Sequence, residues 1–238
     1  NGFGVMGIIG LFPGASNDES EISNYHQPIF KITNDFGRTW HGPEDGECSF
    51  YLLGDDLFQD IIDSFPEEYT DNCDNTQYQI NSFTSDYQFD YKIDANNNIH
   101  ILMSVVPSNS ELKFWIEGAG WYHFTIDSTS LNTPGEINTP TGWNYSQVAK
   151  MQDTWSFRAN DGESYITKTH ASLSFSTGDP DIVWVVADMM NDNKCDHSCN
   201  ENPIPPEISR DIYIFKSTDG GTTWWNPLNA TNSSYPNT

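Results

Sequence analysis

Positive charge is what this chain has least of. Its 238 residues hold 10 Lys plus Arg against 34 Asp plus Glu, for a formal net charge of −24, and its arginines are Arg38, Arg158 and Arg210 alone. A field of that sign repels polyanions, which argues against nucleic acid or an anionic membrane surface as partner and makes cations the natural counterpart. Long apolar runs are missing too: nothing approaches the roughly 18 uninterrupted apolar residues of a membrane span, so no membrane insertion is expected. The apolar opening Val5-Met-Gly-Ile-Ile-Gly-Leu-Phe12 is too short for a signal peptide and lacks its basic flank, and reads as a buried strand. An export signal is then expected to have been removed or to lie outside a sequence that opens on Asn1.

Cysteine is scarce. Cys48, Cys73, Cys195 and Cys199 permit three pairings, of which Cys48–Cys73 with Cys195–Cys199 is the most local and the expected one. The rival is a zinc site on Cys195-Asp-His197-Ser-Cys199, but a Cys-x3-Cys with no second pair nearby is a weak zinc pattern. Disulfides belong to an oxidising compartment, so the chain is expected to be secreted or displayed at a cell surface.

Aromatic residues, by contrast, are plentiful. At 14%, with 8 Trp and 11 Tyr, they fit a folded β protein and exclude a disordered acidic tail despite the charge. The length suffices for a real core, as one β domain or as part of a larger one.

One pattern occurs twice. The strand-like run Pro28-Ile-Phe-Lys-Ile32 leads into Thr33-Asn34-Asp35-Phe36-Gly37-Arg38-Thr39-Trp40, and Asp211-Ile-Tyr-Ile-Phe-Lys216 leads into Ser217-Thr218-Asp219-Gly220-Gly221-Thr222-Thr223-Trp224. Five specified positions should match by accident on the order of once in a thousand such chains, so the pair is read as a repeat. Physically it is a hairpin: an alternating strand, a turn with Gly where positive φ is needed, and a second strand opening on Thr-Trp. The carboxylates of Asp35 and Asp219 can accept from turn amides and from the hydroxyls of Thr33 and Thr39, or Ser217 and Thr223. Trp40 and Trp224 would bury a large ring beside the turn.

The pattern resembles the Asp-box, or BNR repeat, of sialidases and of other β-propellers such as sortilin-type receptors; strictly it covers about 16 residues. The resemblance implies an all-β fold of four-stranded antiparallel blades, with the box at the turn between the third and fourth strands of a blade, on the rim away from the central pocket. It marks the fold, not the chemistry.

Along the chain the expected blades are residues 1–42, 80–126 and 166–228. Residues 43–79 read as an insertion, bracketed by Cys48 and Cys73, with one short amphipathic helix over 56–65. In the second blade, 87–94 and 99–106 are strands around the polar turn Ala95-Asn-Asn-Asn98. Glu111–Ile116, the Gly-Ala-Gly turn at 118–120 and the strand from Trp121 repeat the strand, Gly, Trp order without the Asp, and read as a degenerate box. Residues 127–165 are rich in Ser, Thr, Asn, Pro and Gly and read as an ordered surface loop. About three blades cannot close a ring that uses typically four to eight, so the expectation is an incomplete propeller segment with long insertions, completed by further blades or a partner chain.

A sialidase of this kind would need an arginine triad for the substrate carboxylate. Arg38 sits inside a box turn, which leaves Arg158 and Arg210, and the triad cannot be assembled. A glycosidase of another type needs two carboxylates at a suitable separation, and the sequence names no pair. The acidic loop offers Asp188, Asp192, Asn193 and Asp196 as Ca²⁺ ligands, but it lacks the Asp-x-Asp-x-Asp-Gly register, and a solvated loop is the plainer reading. Trp143, Trp155 and Trp225 are loop or strand-end aromatics that could stack on a sugar ring. Asn144, Asn229 and Asn232 open glycosylation sequons, meaningful only in a glycosylating secretory pathway. The leading expectation is therefore a binding or scaffold module for a glycan or a protein; the alternative is a glycoside hydrolase.

Overall fold

The computed structural model describes residues 2–10, 27–43, 50–53, 55–70, 75–85, 88–109, 119–132, 142–150, 170–190 and 210–231. Cys48, Cys73, Cys195, Cys199, Trp155, Arg158, Asp192, Asn193, Asp196 and Asn232 lie outside them, and with them the disulfide pairing and most of the Ca²⁺ loop. The described chain is all-β: antiparallel sheets, none closed on itself, with one short helix.

The first unit is a hairpin of β1 (Gly4–Gly10) and β2 (Gln27–Thr33). On the free edge of β2 the chain returns as bridges, His41 opposite Ile32 and Tyr51 opposite Phe30, each made by a pair of backbone hydrogen bonds. Helix α1 (Asp55–Asp63) follows; the expected spacing is present, with Leu57 and Ile61 buried, and Phe65 buried just beyond its end. A small hairpin, β3 (Glu68–Thr70) with β4 (Gln77–Gln79), completes the segment read as an insertion.

The second sheet takes the strands β5 (Ser82–Thr84), β6 (Phe89–Ile93), β7 (Ile99–Ser108), β8 (Gly120–Ile126) and β9 (Asn144–Lys150). Strands β6 to β9 form a meander in chain order, and β5 pairs with the far end of β7 on the same edge as β6. The third sheet is a second meander, of β10 (Ala171–Phe175), β11 (Val183–Met190), β12 (Arg210–Ser217) and β13 (Leu228–Asn229).

The second sheet lies between the other two units. All ten residues of β7 are buried. Ile99, Ile101, Met103 and Val105 point to a core shared with the first unit and α1, whereas Leu102 and Val106 point to a core shared with Leu173, Val183, Val185 and Phe215 of the third sheet. An antiparallel sheet wetted on one face would alternate apolar with polar residues; the run Ile99–Val106 scarcely does, because both of its faces are covered. Each such side chain adds about 1.5–3 kcal/mol of burial to the stack.

Two expectations need correction here. Trp121 does not open the fourth strand of a degenerate box. It lies inside β8, paired with Ser104 on one edge and Ala149 on the other, and is fully buried toward the third sheet. The Gly-Trp order arises because Gly120 passes against the Ala149 carbonyl and the Gln147 amide, where a Cβ has no room. The fourth strand is instead β9, within residues 127–165 that composition assigns to a loop; Tyr145 and Val148 give it the anchors to pair with β8.

Candidate functional site

Both repeats form the same turn, and its chemistry is local. In the first, Thr33 Oγ1 donates to Asp35 Oδ1 (2.8 Å) and accepts from Gly37 N (3.0 Å), while Thr39 donates to Asp35 through its amide (2.9 Å) and its hydroxyl (2.7 Å). In the second, Ser217 Oγ donates to Asp219 Oδ1 (2.7 Å) and accepts from Gly221 N (2.8 Å), and Thr223 donates through its amide (2.9 Å) and hydroxyl (2.6 Å). The backbones coincide, since Phe36 and Gly37 have φ of 63° and 81° where Gly220 and Gly221 have 70° and 90°. These donors favour the ionised carboxylate and hold Asp35 and Asp219 at about 2, below the ordinary 3.8.

The second turn differs in what it touches. Gly221 O accepts from Ser146 Oγ (2.5 Å) on β9 and faces His123 Nδ1 (3.2 Å) on β8. Trp224 donates its indole N–H to Ser146 Oγ (2.9 Å) and meets the His123 ring edge-on at 5.6 Å. The third sheet is thus fastened to the second through its box, with Asp90 of β6 accepting from the Leu173 amide and the Ser172 hydroxyl of β10 at the other side.

Behind this contact runs a buried relay. His123 Nε2 lies 2.8 Å from His100 Nδ1, and His100 Nε2 lies 3.5 Å from Asp94 Oδ2 at the β6–β7 turn, where Asp94 also accepts from the Asn96 and Asn98 amides. The Gly221 carbonyl and the Asp94 carboxylate can only accept, so two neutral imidazoles, with one N–H each, fall one donor short of filling the three links. Burial lowers His100 against the pull of Asp94, and with the neighbouring ring it pushes His123 down to about 3.

That arrangement has a pH consequence. The folded value for His123 is about 3 against 6.5, so the unfolded chain binds more protons between these limits, and stability rises with pH across that window and is lost on acidification. Asp35 and Asp219 act in the same sense lower down, contributing above 3.8 and losing their contribution toward about 2. The midpoint of thermal unfolding should fall by roughly 5 °C as pH drops by about 1.5 units from neutral His toward acid. His123→Gln should flatten that slope; an unchanged slope would remove His123 from the account.

Beside the relay opens a cleft of about 290 Å³. It is lined by Leu57 and Asp60 of α1, His123 and Thr125 of β8, Trp143 with Asn144 and Tyr145 of β9, and Gly221 and Thr222 of the box turn. Trp143 is braced edge-on against Phe30, with centroids 6.0 Å apart. Tyr145 stacks on Tyr122 and Phe124, and the nearby Asp60 and Asp63 add to burial in raising its pKa.

Of the sequence candidates, Trp143 and Asn144 reach this cleft. Trp225 does not: it is 57% exposed on the outer face of the third sheet, where Lys216 Nζ lies 4.6 Å from its ring centroid and 5.1 Å from that of Trp184. Asp188 accepts a hydrogen bond from the His170 amide, which ties it to the sheet edge. Asn229 donates to Asp211 (2.6 Å), so its amide nitrogen is engaged, whereas Asn144 is exposed. Among the described residues no three His, Cys, Asp or Glu side chains gather as a metal site. The histidine pair escaped sequence reasoning; its trace is a lone His in each of two largely apolar runs, Ile99–Val106 and Trp121–Ile126, whose other polar residues are Ser104 and Thr125.

Comparison with protein-family models, with characterised proteins and with solved structures finds no match.

Proposed function

We propose that this chain is a segment of an Asp-box β-propeller, secreted or displayed at a surface, that serves as a binding or scaffold module for a glycan or protein. The observation that carries the reading is the pair of identical turns, each closing a strand, on sheets that stack face to face. The second box follows the third strand of a four-stranded meander.

The outer faces support it further. Trp184, Val186, Ile212 and Leu228 are exposed on the far face of the third sheet, as Met6 and Ile8 are on β1 of the first unit. A contiguous apolar sheet face in water marks a missing neighbour. Further blades would cover both ends of the stack, as the second sheet covers their inner faces. The isolated chain is therefore expected to bind an apolar dye such as ANS, and a Val186→Asp/Ile212→Asp double variant to stay folded and bind markedly less. Absence of dye binding by the parent chain would remove the argument for missing blades.

The hydrolase alternative draws little from the cleft, whose described lining contains one carboxylate, Asp60, where glycosidic cleavage uses two. Arg38 is exposed on the first box turn, and Arg210 begins β12 at the end opposite the second box. With Arg38 on that turn, Arg158 and Arg210 are left, too few for the arginine triad that holds a sialic acid carboxylate. A fluorogenic sialoside should release no fluorophore with the purified chain. Turnover abolished by both Arg158→Ala and Arg210→Ala would overturn the binding-module reading.

A further inference from the structure

We infer that the cleft between α1, β9 and the second box turn is a binding site for one ring of a neutral saccharide; the inference rests on the binding-module reading and gives it a location and a ligand class.

Size and shape come first. At about 290 Å³ the cleft lies at the small end of ligand pockets, which run from ~300 to 1,000 Å³, and its open mouth lets the rest of an oligosaccharide continue into solvent. Trp143 offers a broad apolar wall whose orientation is set by Phe30, so stacking a sugar ring on it orders no loose side chain. The box turn also lines the cleft, and it is fixed by the bonds of Asp219 and by the Ser146 contact to Gly221 O.

The polar groups decide the ligand. Thr125 and Asn144 present a hydroxyl and an amide that both donate and accept, matching the dual character of sugar hydroxyls, and the Thr222 hydroxyl, which already donates to the Asp219 carbonyl (2.9 Å), adds an acceptor. Asp60 adds an acceptor that can take hydroxyl protons. No lysine or arginine is among the described lining residues, and at a net charge of −24 a carboxylated or sulfated sugar would be repelled. The other chemistry an acidic aromatic cleft suggests is an ammonium ligand over the Trp143 ring, whose affinity would fall with added salt.

The test titrates the chain with neutral oligosaccharides of glucan, galactan and mannan type, with a sialylated trisaccharide, and with cationic glucosamine oligomers, each at low and high NaCl. At least one neutral series should bind with an affinity unchanged by salt, while the sialylated sugar does not. Trp143→Ala should weaken that binding tenfold or more, and Trp225→Ala by less than twofold. Because Trp143 also contacts the core, Thr222→Arg provides an independent check: it lies on an exposed turn, and should block the cleft with the near-ultraviolet spectrum unchanged. Neutral-sugar binding that survives both Trp143→Ala and Thr222→Arg would overturn the cleft and leave the module reading standing. Salt-sensitive binding of glucosamine oligomers alone would overturn the neutral ligand class. Failure of every sugar would overturn the site, and capture of a protein ligand would then be the outcome that keeps the module.

Discussion

Gly221→Ala should destabilise the chain by on the order of 3 kcal/mol, read as a lowered midpoint of urea unfolding. Two costs coincide. The residue has φ of 90°, a region that L side chains avoid, and a Cβ built there runs into the His123 ring. That ring cannot give way. It is held by His100 on one side and the Gly221 carbonyl on the other, with Trp224 edge-on against it. Gly220 is the matched control: its φ is 70°, but nothing lies within 4 Å of a Cβ at that position. Gly220→Ala should therefore cost only about 1 kcal/mol, as left-handed backbone alone does. The first box already carries a side chain there, Phe36. If the two substitutions prove equally costly, the contact between the box and the second sheet does not restrain the turn.

Trp121→Ala should cost about 3–5 kcal/mol, the range for a fully buried large aromatic. The ring is 0% exposed and fills the core between the second and third sheets, so its loss leaves a cavity between two rigid faces that cannot collapse onto each other. Trp121→Phe separates volume from polarity. The indole N–H is buried with no hydrogen-bond partner among the described residues, so removing it forfeits no such bond, and the substitution should cost about 1–2 kcal/mol in lost packing. Trp225→Ala, on the outer face, should cost less than about 1 kcal/mol. A Trp121→Ala variant as stable as the parent would mean that the third sheet is not packed on the second as described.

How far the sequence could be read depends on the distance over which each feature is made. The strands at 99–106 and 171–175, the helix near 56–65 and the turn at 95–98 were legible because alternation, helical spacing and turn composition are properties of neighbours. Trp121 was misread for the same reason: a Gly-Ala-Gly-Trp string looks locally like the end of a turn, and only pairing with Ser104 and Ala149 makes it the middle of a sheet. Strand β9 was hidden by composition. Asn144, Ser146 and Gln147 are ordinary loop residues until β8 supplies their backbone partners.

By itself the sequence determined the two box turns, because the bonds that fold each Asp carboxylate and its Ser or Thr partners into the turn join residues no more than four apart. It also set the all-β character, through alternating and aromatic-rich runs. Only the tertiary structure decided that the second box is fastened to the second sheet, that this sheet is covered on both faces, and that Trp143 lines a cleft while Trp225 does not. Those outcomes rest on contacts such as His123 with Gly221, 98 residues apart, and Ser146 with Trp224, 78 apart. No local pattern encodes a pairing at that separation; it follows from which faces the stack has left to cover.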